Sequence, residues 1–161
     1  MKKTKGDAPQ PHLKSGFMTG YDIEVNADLA AQGAFDRLAE VGFDALTEYE
    51  KTLASAWLFV GKVANGGFRS FFSGAAGDLA IYVPTALKTI GAVKMAAIAA
   101  KANGAFGAKG PPRDRSERRK LVRAFSKDII KQLEALESSF YNCADDVDAL
   151  LEKYLKQKGA A

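Results

Sequence analysis

The stretch from residue 64 to residue 72 constrains the fold most, because it can bend a helix and bury aromatic rings at once. It reads Ala-Asn-Gly-Gly-Phe-Arg-Ser-Phe-Phe and follows the most apolar run of the chain, residues 53–63. The asparagine and the glycines can adopt the left-handed backbone that closes a helix, and the three rings then share one helical face. These motif residues are Asn65, Gly66, Gly67, Phe68, Phe71 and Phe72. We therefore expect a structural corner in the core, where one helix stops and another starts.

Helical periodicity continues along the rest of the chain, and no stretch alternates as a strand would. Asn26 is expected to cap a first helix, which Gly42 interrupts or ends. A helix over about 43–64 would be roughly 33 Å long, and we expect it to be central because several of its faces are apolar. Further helices are expected over 84–90, 93–102 and 145–158, with a long one after Asp114 that residues 126–128 could split. The fold class is therefore all-α.

The length of 161 residues fits one domain that can bury a full core. We expect residues 1–20 to be a flexible tail, and residues 21–161 to form a single all-α domain, a multi-helix bundle around the central helix. Three apolar side chains of the N-terminal region could dock on that domain. They are Phe17, Met18 and Tyr21.

A cytoplasmic protein is the expectation from the absence of targeting features. The apolar stretch from 79 to 100 is interrupted by Pro84, Lys88 and Lys94, so it does not read as a membrane span. The single cysteine, Cys143, excludes an internal disulfide and fits a reducing compartment. We expect its thiol to be partly buried and inert.

The sequence gives little support for catalysis, and we predict no catalytic residue, no metal, no cofactor and no enzymatic activity. The only histidine, His12, lies in the expected tail, so no fixed nucleophile–histidine pair can be built. The two motif glycines lack the Gly-Lys-Ser/Thr of a phosphate-binding loop. Asn65 and Arg69 are the motif's polar residues, and they are the first candidates for an undiscovered ligand site.

An acidic cluster near residue 145 raises the question of a calcium loop. Its members are Asp145, Asp146 and Asp148. The glycine and the distal glutamate of such a loop are missing at the required spacing. A helix N-terminus rich in aspartate explains the cluster better.

Charge is segregated along the chain. Residues 21–61 carry eight acids and two bases, whereas residues 109–127 carry eight bases and two acids. An acidic stripe recurs every four residues at Asp36, Glu40, Asp44 and Glu48. On an unbroken helix this spacing lifts each carboxylate by about 6 Å, similar to the rise of phosphates along a DNA strand. A break at Gly42 would misalign the stripe, and a solvated helix face is the simpler explanation.

A basic stripe follows at Arg115, Arg119, Arg123, Lys127 and Lys131. It lies roughly opposite the apolar face that begins at Leu121. It could contact phosphates, an acidic partner, or the acidic stripe of the same chain or of a second copy. Simple solvation of a helix surface is again an alternative.

Four segments in order resemble a bacterial family of domains of unknown function, named after a member described as a DNA-mimic protein. They are Asn-Gly-Gly-Phe with Phe-Phe at 65–72, Ala-Leu-Lys-Thr-Ile-Gly-Ala at 86–92, Leu-Glu-Ser-Ser-Phe-Tyr at 136–141 and Leu-Leu-Glu-Lys-Tyr-Leu at 150–155. The resemblance covers residues 27–157. It implies an all-helical fold and no established catalytic residues. Mimicry in that family depends on an acidic surface, whereas this chain has a net charge of +4.

We therefore expect a non-enzymatic protein–protein interaction or regulatory module with an unidentified partner. Nucleic-acid binding through the basic helix 113–131 is the alternative. The opposite signs of the two stripes also permit a salt-sensitive homodimer.

Overall fold

The computed structural model describes residues 27–159, and this part of the chain consists of helices joined by short connections, without a strand. It contains seven α-helices, which confirms the all-α prediction. They are α1 (Ala27–Val41), α2 (Glu48–Ser73), α3 (Val83–Thr89), α4 (Val93–Asn103), α5 (Arg115–Arg123), α6 (Lys127–Tyr141) and α7 (Val147–Gly159). Short 3₁₀ turns lie at Phe43–Ala45, Ala75–Leu79 and Gly104–Phe106.

The predictions for the N-terminal tail, for His12 and for the cap at Asn26 lie outside the described residues. Within residues 27–159, no helix combines the length and the apolar character needed to cross a bilayer.

Helix α1 buries its small side chains and leaves its acids in water. Ala27, Ala31 and Ala34 are buried and let α1 approach α2 closely. At its far end Gly42 takes a φ of 81°, which a side chain would strain. Gly42 therefore ends the helix, one of the two outcomes that its position allowed.

Helix α2 starts later than the sequence suggested. The side chain of Thr47 accepts from the backbone N–H of Glu50 at 3.1 Å, and Glu50 accepts in return from the N–H of Thr47 at 3.0 Å. This reciprocal capping box fixes the first helical residue at Glu48. The expected start at residue 43 was wrong, because residues 43–45 form a separate 3₁₀ turn.

The prediction of a central helix is confirmed, since α2 packs against α1, α3, α5, α6 and α7. Residues 52–56 are all buried, so no side of this segment faces water. Its 26 residues have a length of about 39 Å along the helix path, longer than expected, because the helix continues past the glycines to Ser73.

The glycine corner bends the helix instead of ending it. Gly67 has a φ of 76° and a ψ of −178°, outside the helical region, yet helical turns stand on both sides of it. A single residue with a positive φ redirects the chain, and Phe68 resumes the helix at once. The expected stop and restart is therefore a kink, which keeps the two halves of α2 in contact.

The remaining helices start where polar side chains cap them. Asp114 accepts from the N–H of Glu117 at 2.8 Å to begin α5. Ser126 accepts from the N–H of Ile129 at 3.2 Å to begin α6. The long helix is thus split, as its sequence allowed, but the break lies at residues 124–126 and overlaps the expected 126–128 only at Ser126.

Candidate functional site

The motif at 65–68 and the segment from Leu136 to Tyr141 form one junction in the structure. In an unbroken helix the N–H of Phe68 would donate to the carbonyl of Ala64. Here the N–H of Phe68 donates to Glu137 Oε1 at 2.9 Å, and the hydroxyl of Tyr141 donates to the carbonyl of Ala64 at 2.9 Å. Glu137 and Tyr141 lie one turn apart on α6. This helix therefore supplies both partners for the bond that the kink opens.

Gly67 is required at this junction by space as well as by backbone conformation. A Cβ atom at this position would lie 2.3 Å from Glu137 Oε1, and φ is positive. Any side chain would displace the carboxylate that caps Phe68. The glycine therefore has a structural role.

The rings of the motif form the centre of the core, as expected. Phe68, Phe71 and Phe72 are fully buried. The ring of Phe59 packs edge-on against Phe71 with centroids 5.4 Å apart, and against Phe140 of α6 at 5.9 Å. We call these five phenylalanines the aromatic corner. Ring pairs of this geometry add about 0.5–1.5 kcal/mol to their burial.

A buried arginine just beyond this corner was not anticipated. Arg118 of α5 is fully buried and makes five hydrogen bonds to groups outside α5. Its acceptors are the carbonyls of Phe72, Gly74, Pro112 and Arg113, and Oδ1 of Asp78. We call this group the Arg118 node. It satisfies carbonyls at the end of α2, which lack partners within the helix.

Gly77 allows Arg118 to reach these acceptors. A Cβ at Gly77 would lie 2.6 Å from Arg118 Nε and 2.7 Å from the carbonyl oxygen of Phe72. One sequence signal could have revealed the node. Arg118 stands four residues before Val122, which is also buried, and so shares the inner face of α5.

The basic segment from residue 113 to residue 131, which contains the basic stripe, has both paired and unpaired cations. Arg115 forms an ion pair with Asp78 at 3.1 Å, and Arg113 forms one with Asp44 at 3.1 Å. Further along α5, none of three exposed cations forms an ion pair with any residue in 27–159. These are Arg119, Lys120 and Arg123, which we call the cationic face. With Arg115 and Ser116 they line a shallow depression of about 320 Å³.

Arg119 is held in place by the neighbouring helix. Its Nε–H donates to the carbonyl of Ser73, the last residue of α2, at 2.7 Å. The helix end thus fixes the plane of the guanidinium. Both terminal nitrogens stay available in the fork geometry that suits a carboxylate or a phosphate. Lys127, the next residue of the stripe, opens α6 and is exposed.

The acidic stripe does not follow one helix. Asp36 and Glu40 lie on α1, Asp44 lies in the 3₁₀ turn, and Glu48 begins α2. All four are exposed, but the break at Gly42 removes the regular rise along an unbroken helix. The expected phosphate-like spacing is therefore absent.

Three of these carboxylates already have partners in the chain. Asp36 Oδ1 accepts from the side-chain amide of Gln32 at 3.1 Å. Asp44 pairs with Arg113, whose guanidinium also lies 4.2 Å from the ring centroid of Phe43. Glu48 accepts from the hydroxyl of Tyr82 at 2.6 Å, and this bond holds the pKa of the carboxyl below its usual value. Burial and the bond to Glu48 raise the pKa of Tyr82.

The other singled-out acids cap helices. Asp145 Oδ2 accepts from the N–H of Met95 at 2.9 Å, at the start of α4, and Asp146 Oδ1 accepts from Ala149 at 3.1 Å in the first turn of α7. Within residues 27–159 no group of acids, histidines and cysteines is arranged to hold a metal ion. Asp146 and Asp148 thus lie at the N-terminus of α7, as the sequence suggested, whereas Asp145 caps the neighbouring helix α4.

The remaining candidates lie at or near the surface. Arg69 is exposed, and Asn65 is exposed on the wall of a groove between α1 and α2. The thiol of Cys143 is partly buried, as expected.

Comparison with known proteins gives one result. A family model described as DMP19-like protein matches residues 44–158, from the 3₁₀ turn to the last helix. Neither the curated proteins nor the solved structures contain a match. The matched range includes both halves of the kink junction and the whole Arg118 node.

Proposed function

Because this chain belongs to the DMP19-like protein family, we propose that it is a protein-binding module without enzymatic activity. It contacts an acidic surface of a partner protein through the cationic face of α5. The observation that carries this proposal is the contrast along one basic segment. Arg113 pairs with Asp44, and Arg115 and Arg118 share Asp78, whereas the three cations of the face form no ion pair within residues 27–159.

Unpaired cations on one rigid helix face suit a specific contact. Counter-charges on a partner would meet an arginine whose orientation Ser73 has already set. Such pre-ordering lowers the entropy lost on binding. Charge complementarity of this kind mainly raises the association rate and selects the partner.

The acidic stripe offers less support for DNA mimicry. Its carboxylates lie on three separate elements, and Asp44 and Glu48 already have partners within the chain. A surface that imitates a phosphate backbone needs regularly spaced carboxylates that remain free. The cationic face has the opposite sign and is the stronger candidate for a contact.

Nucleic-acid binding through the same face is the alternative, favoured by the clustered arginines. Two observations weigh toward a protein partner. Only three unpaired cations are grouped there, so contact with DNA would give a weak salt dependence, with a slope of about −3. Leu121, next to Lys120 in sequence, is 42% exposed, and apolar surface beside charges is typical of protein interfaces.

The experiment compares two doubly charge-reversed variants in affinity capture from an extract of the native cells. Lys120→Glu with Arg123→Glu reverses two of the three charges of the face, and neither side chain makes a hydrogen bond or an ion pair within residues 27–159. Lys88→Glu with Lys94→Glu is the matched control, since both residues are exposed elsewhere. We expect one protein to be retained by the wild type and by the control, and to be lost from the first variant and at high salt.

Anisotropy with labelled duplex DNA and RNA tests the alternative in parallel. Salt-sensitive binding of either nucleic acid that only the Lys120→Glu/Arg123→Glu variant loses would replace the protein partner in the proposal. Equal capture by both variants would overturn the role of the face for either partner.

The salt-sensitive homodimer stays a prediction. Such a dimer would pair the cationic face of one copy with Asp36 and Glu40 of another. Neither acid has an ion pair within residues 27–159. Sedimentation across a salt series tests it. A monomer at low salt and high concentration would exclude it.

A further inference from the structure

We infer that the groove between α1 and α2 is a second binding site, independent of the cationic face. It takes a polypeptide segment in which an apolar side chain neighbours a cationic one. The groove has a volume of about 470 Å³. Phe35 of α1 and an apolar row of α2 line it, the row consisting of Trp57, Leu58, Val60 and Ala64.

The aromatic wall of the groove is already ordered. Trp57 is half-buried, and its indole N–H donates to Asp28 Oδ1 of α1 at 2.8 Å. A side chain that packs against this ring would cost little additional ordering. Large aromatic side chains in such positions often contribute most of the energy of a protein contact.

The charge at one end of the groove specifies the occupant. A smaller depression of about 130 Å³ adjoins the groove and shares Asp28 and Asp148 with it. It adds a third carboxylate, Glu152. No ion pair joins these three acids to another residue within 27–159.

An apolar channel that opens onto carboxylates without an ion pair in residues 27–159 complements an apolar side chain followed by an arginine or a lysine. Lys62 also lines the groove, so one cation faces the three carboxylates and the net charge of the two depressions is negative. A purely apolar segment would leave the acidic end unmatched, and an acidic segment would meet this net negative charge. Gly61 opens the wall between Trp57 and Asn65 further. A Cβ at Gly61 meets no atom within 4 Å, so larger residues fit there and would fill the groove.

The reporter for the test is already in place, because Trp57 is the only tryptophan of the chain. The probes are short capped peptides that carry one phenylalanine beside one arginine. Matched peptides carry citrulline, the neutral isostere, or glutamate instead of arginine. Titration is followed by the emission of Trp57 and by its indole N–H resonance in the full chain.

We expect the arginine peptide to shift both signals and to bind at least about tenfold more tightly than the citrulline peptide, with no effect from the glutamate peptide. Asp148→Lys should remove the preference for arginine. Glu134→Lys, an equal charge change at an exposed site on α6, should keep it.

A groove-filling variant separates this site from general surface binding. Gly61→Phe should abolish the shifts, whereas Gly33→Phe, on an open part of α1 outside the groove, should bind as the wild type does. Circular dichroism and the unfolding midpoint verify that both variants are folded.

Three outcomes would overturn the inference. They are unchanged Trp57 signals at about 1 mM peptide, equal affinity for the arginine and citrulline peptides, and equal loss in both glycine variants. A further outcome is that the full chain binds no peptide, whereas removal of residues 1–20 changes the Trp57 signal. This result would assign the groove to the N-terminus of this chain instead. None of these outcomes bears on the cationic face.

Discussion

The aromatic corner and the Arg118 node both fix the second half of α2, but by different physical means. At the corner, rings are removed from water and pack on one another, an arrangement that depends on volume. At the node, a planar cation satisfies carbonyls and one carboxylate, an arrangement that depends on direction. The comparison teaches that two neighbouring parts of one core should tolerate different substitutions. The corner should accept another apolar side chain, and the node should not accept another cation.

The largest effect is expected at the corner. Phe72→Ala removes a fully buried ring and should lower the free energy of unfolding by about 3–5 kcal/mol. Phe72→Leu keeps most of the apolar volume and should cost clearly less. Denaturant titration measures both, with Leu29→Ala as the exposed control, expected within about 0.5 kcal/mol of the wild type. Equal losses for alanine and leucine would contradict a corner held by packing volume.

At the node the conservative replacement should fail. Arg118→Lys keeps the charge, but a lysine ammonium lacks the planar set of donors with which the guanidinium reaches several acceptors at once. It therefore leaves buried carbonyls without donors. We expect a loss of about 2–4 kcal/mol. A lysine variant with the unfolding midpoint of the wild type would show that charge alone, without directed hydrogen bonds, stabilises this region.

The sequence predicted these two regions unequally. Aromatic residues at i, i+3 and i+4 after a pair of glycines predicted the aromatic corner, because buried apolar side chains recur with the period of the helix. Arg118 carried only a weak signal, its position four residues before Val122, because a buried charge is defined by acceptors that come from elements distant in sequence, such as Gly74 and Asp78. From this signal alone, Arg118 could not be distinguished from the exposed cations beside it. Only the positions of its acceptors in the structure show that it is buried.

The helix boundaries also differed in how well the sequence predicted them. Gly42 and Ser126 end and begin helices through local backbone and capping chemistry, and their positions were readable. The start of α2 was misplaced because the capping box of Thr47 competed with an apolar pattern that extended back to Phe43. The sequence predicted that the segment is basic, but it did not predict which cations are unpaired. The ion pairs with Asp44 and Asp78 depend on tertiary contacts.

A smaller effect is expected at the kink that joins the two halves of α2. Gly67→Ala forces a side chain into a positive φ and against Glu137, and should cost about 1–3 kcal/mol. Gly61→Ala, in the same helix but with helical backbone and free space, should stabilise by up to about 1 kcal/mol. Opposite signs in denaturant titrations would confirm that the kink is specific. A neutral Gly67→Ala would mean that the bend needs no glycine.

The smallest effect is expected at the exposed hydrogen bond between Tyr82 and Glu48. It shows how little a polar contact at the surface contributes compared with the buried Arg118 node. Tyr82 lowers the pKa of Glu48 in the folded state, so this contact stabilises the fold above the usual carboxyl pKa of 4.5 and is lost as the pH falls through the lower folded value. We expect the midpoint gap between the wild type and Tyr82→Phe to be constant at neutral pH and to shrink below 4.5. A gap that widens in acid would reverse this assignment.

The junction at Gly67 also determines when α2 can be completed during synthesis of the chain. The partners of Phe68 and Ala64 on α6 lie 69 and 77 positions further along the sequence. The ribosome therefore releases the whole of α2 well before Glu137 and Tyr141 exist. Contacts over such distances close large loops and form late. The first half of α2 can assemble with α1 early, whereas its aromatic second half waits as an unfinished surface, within reach of chaperones, until α6 has emerged.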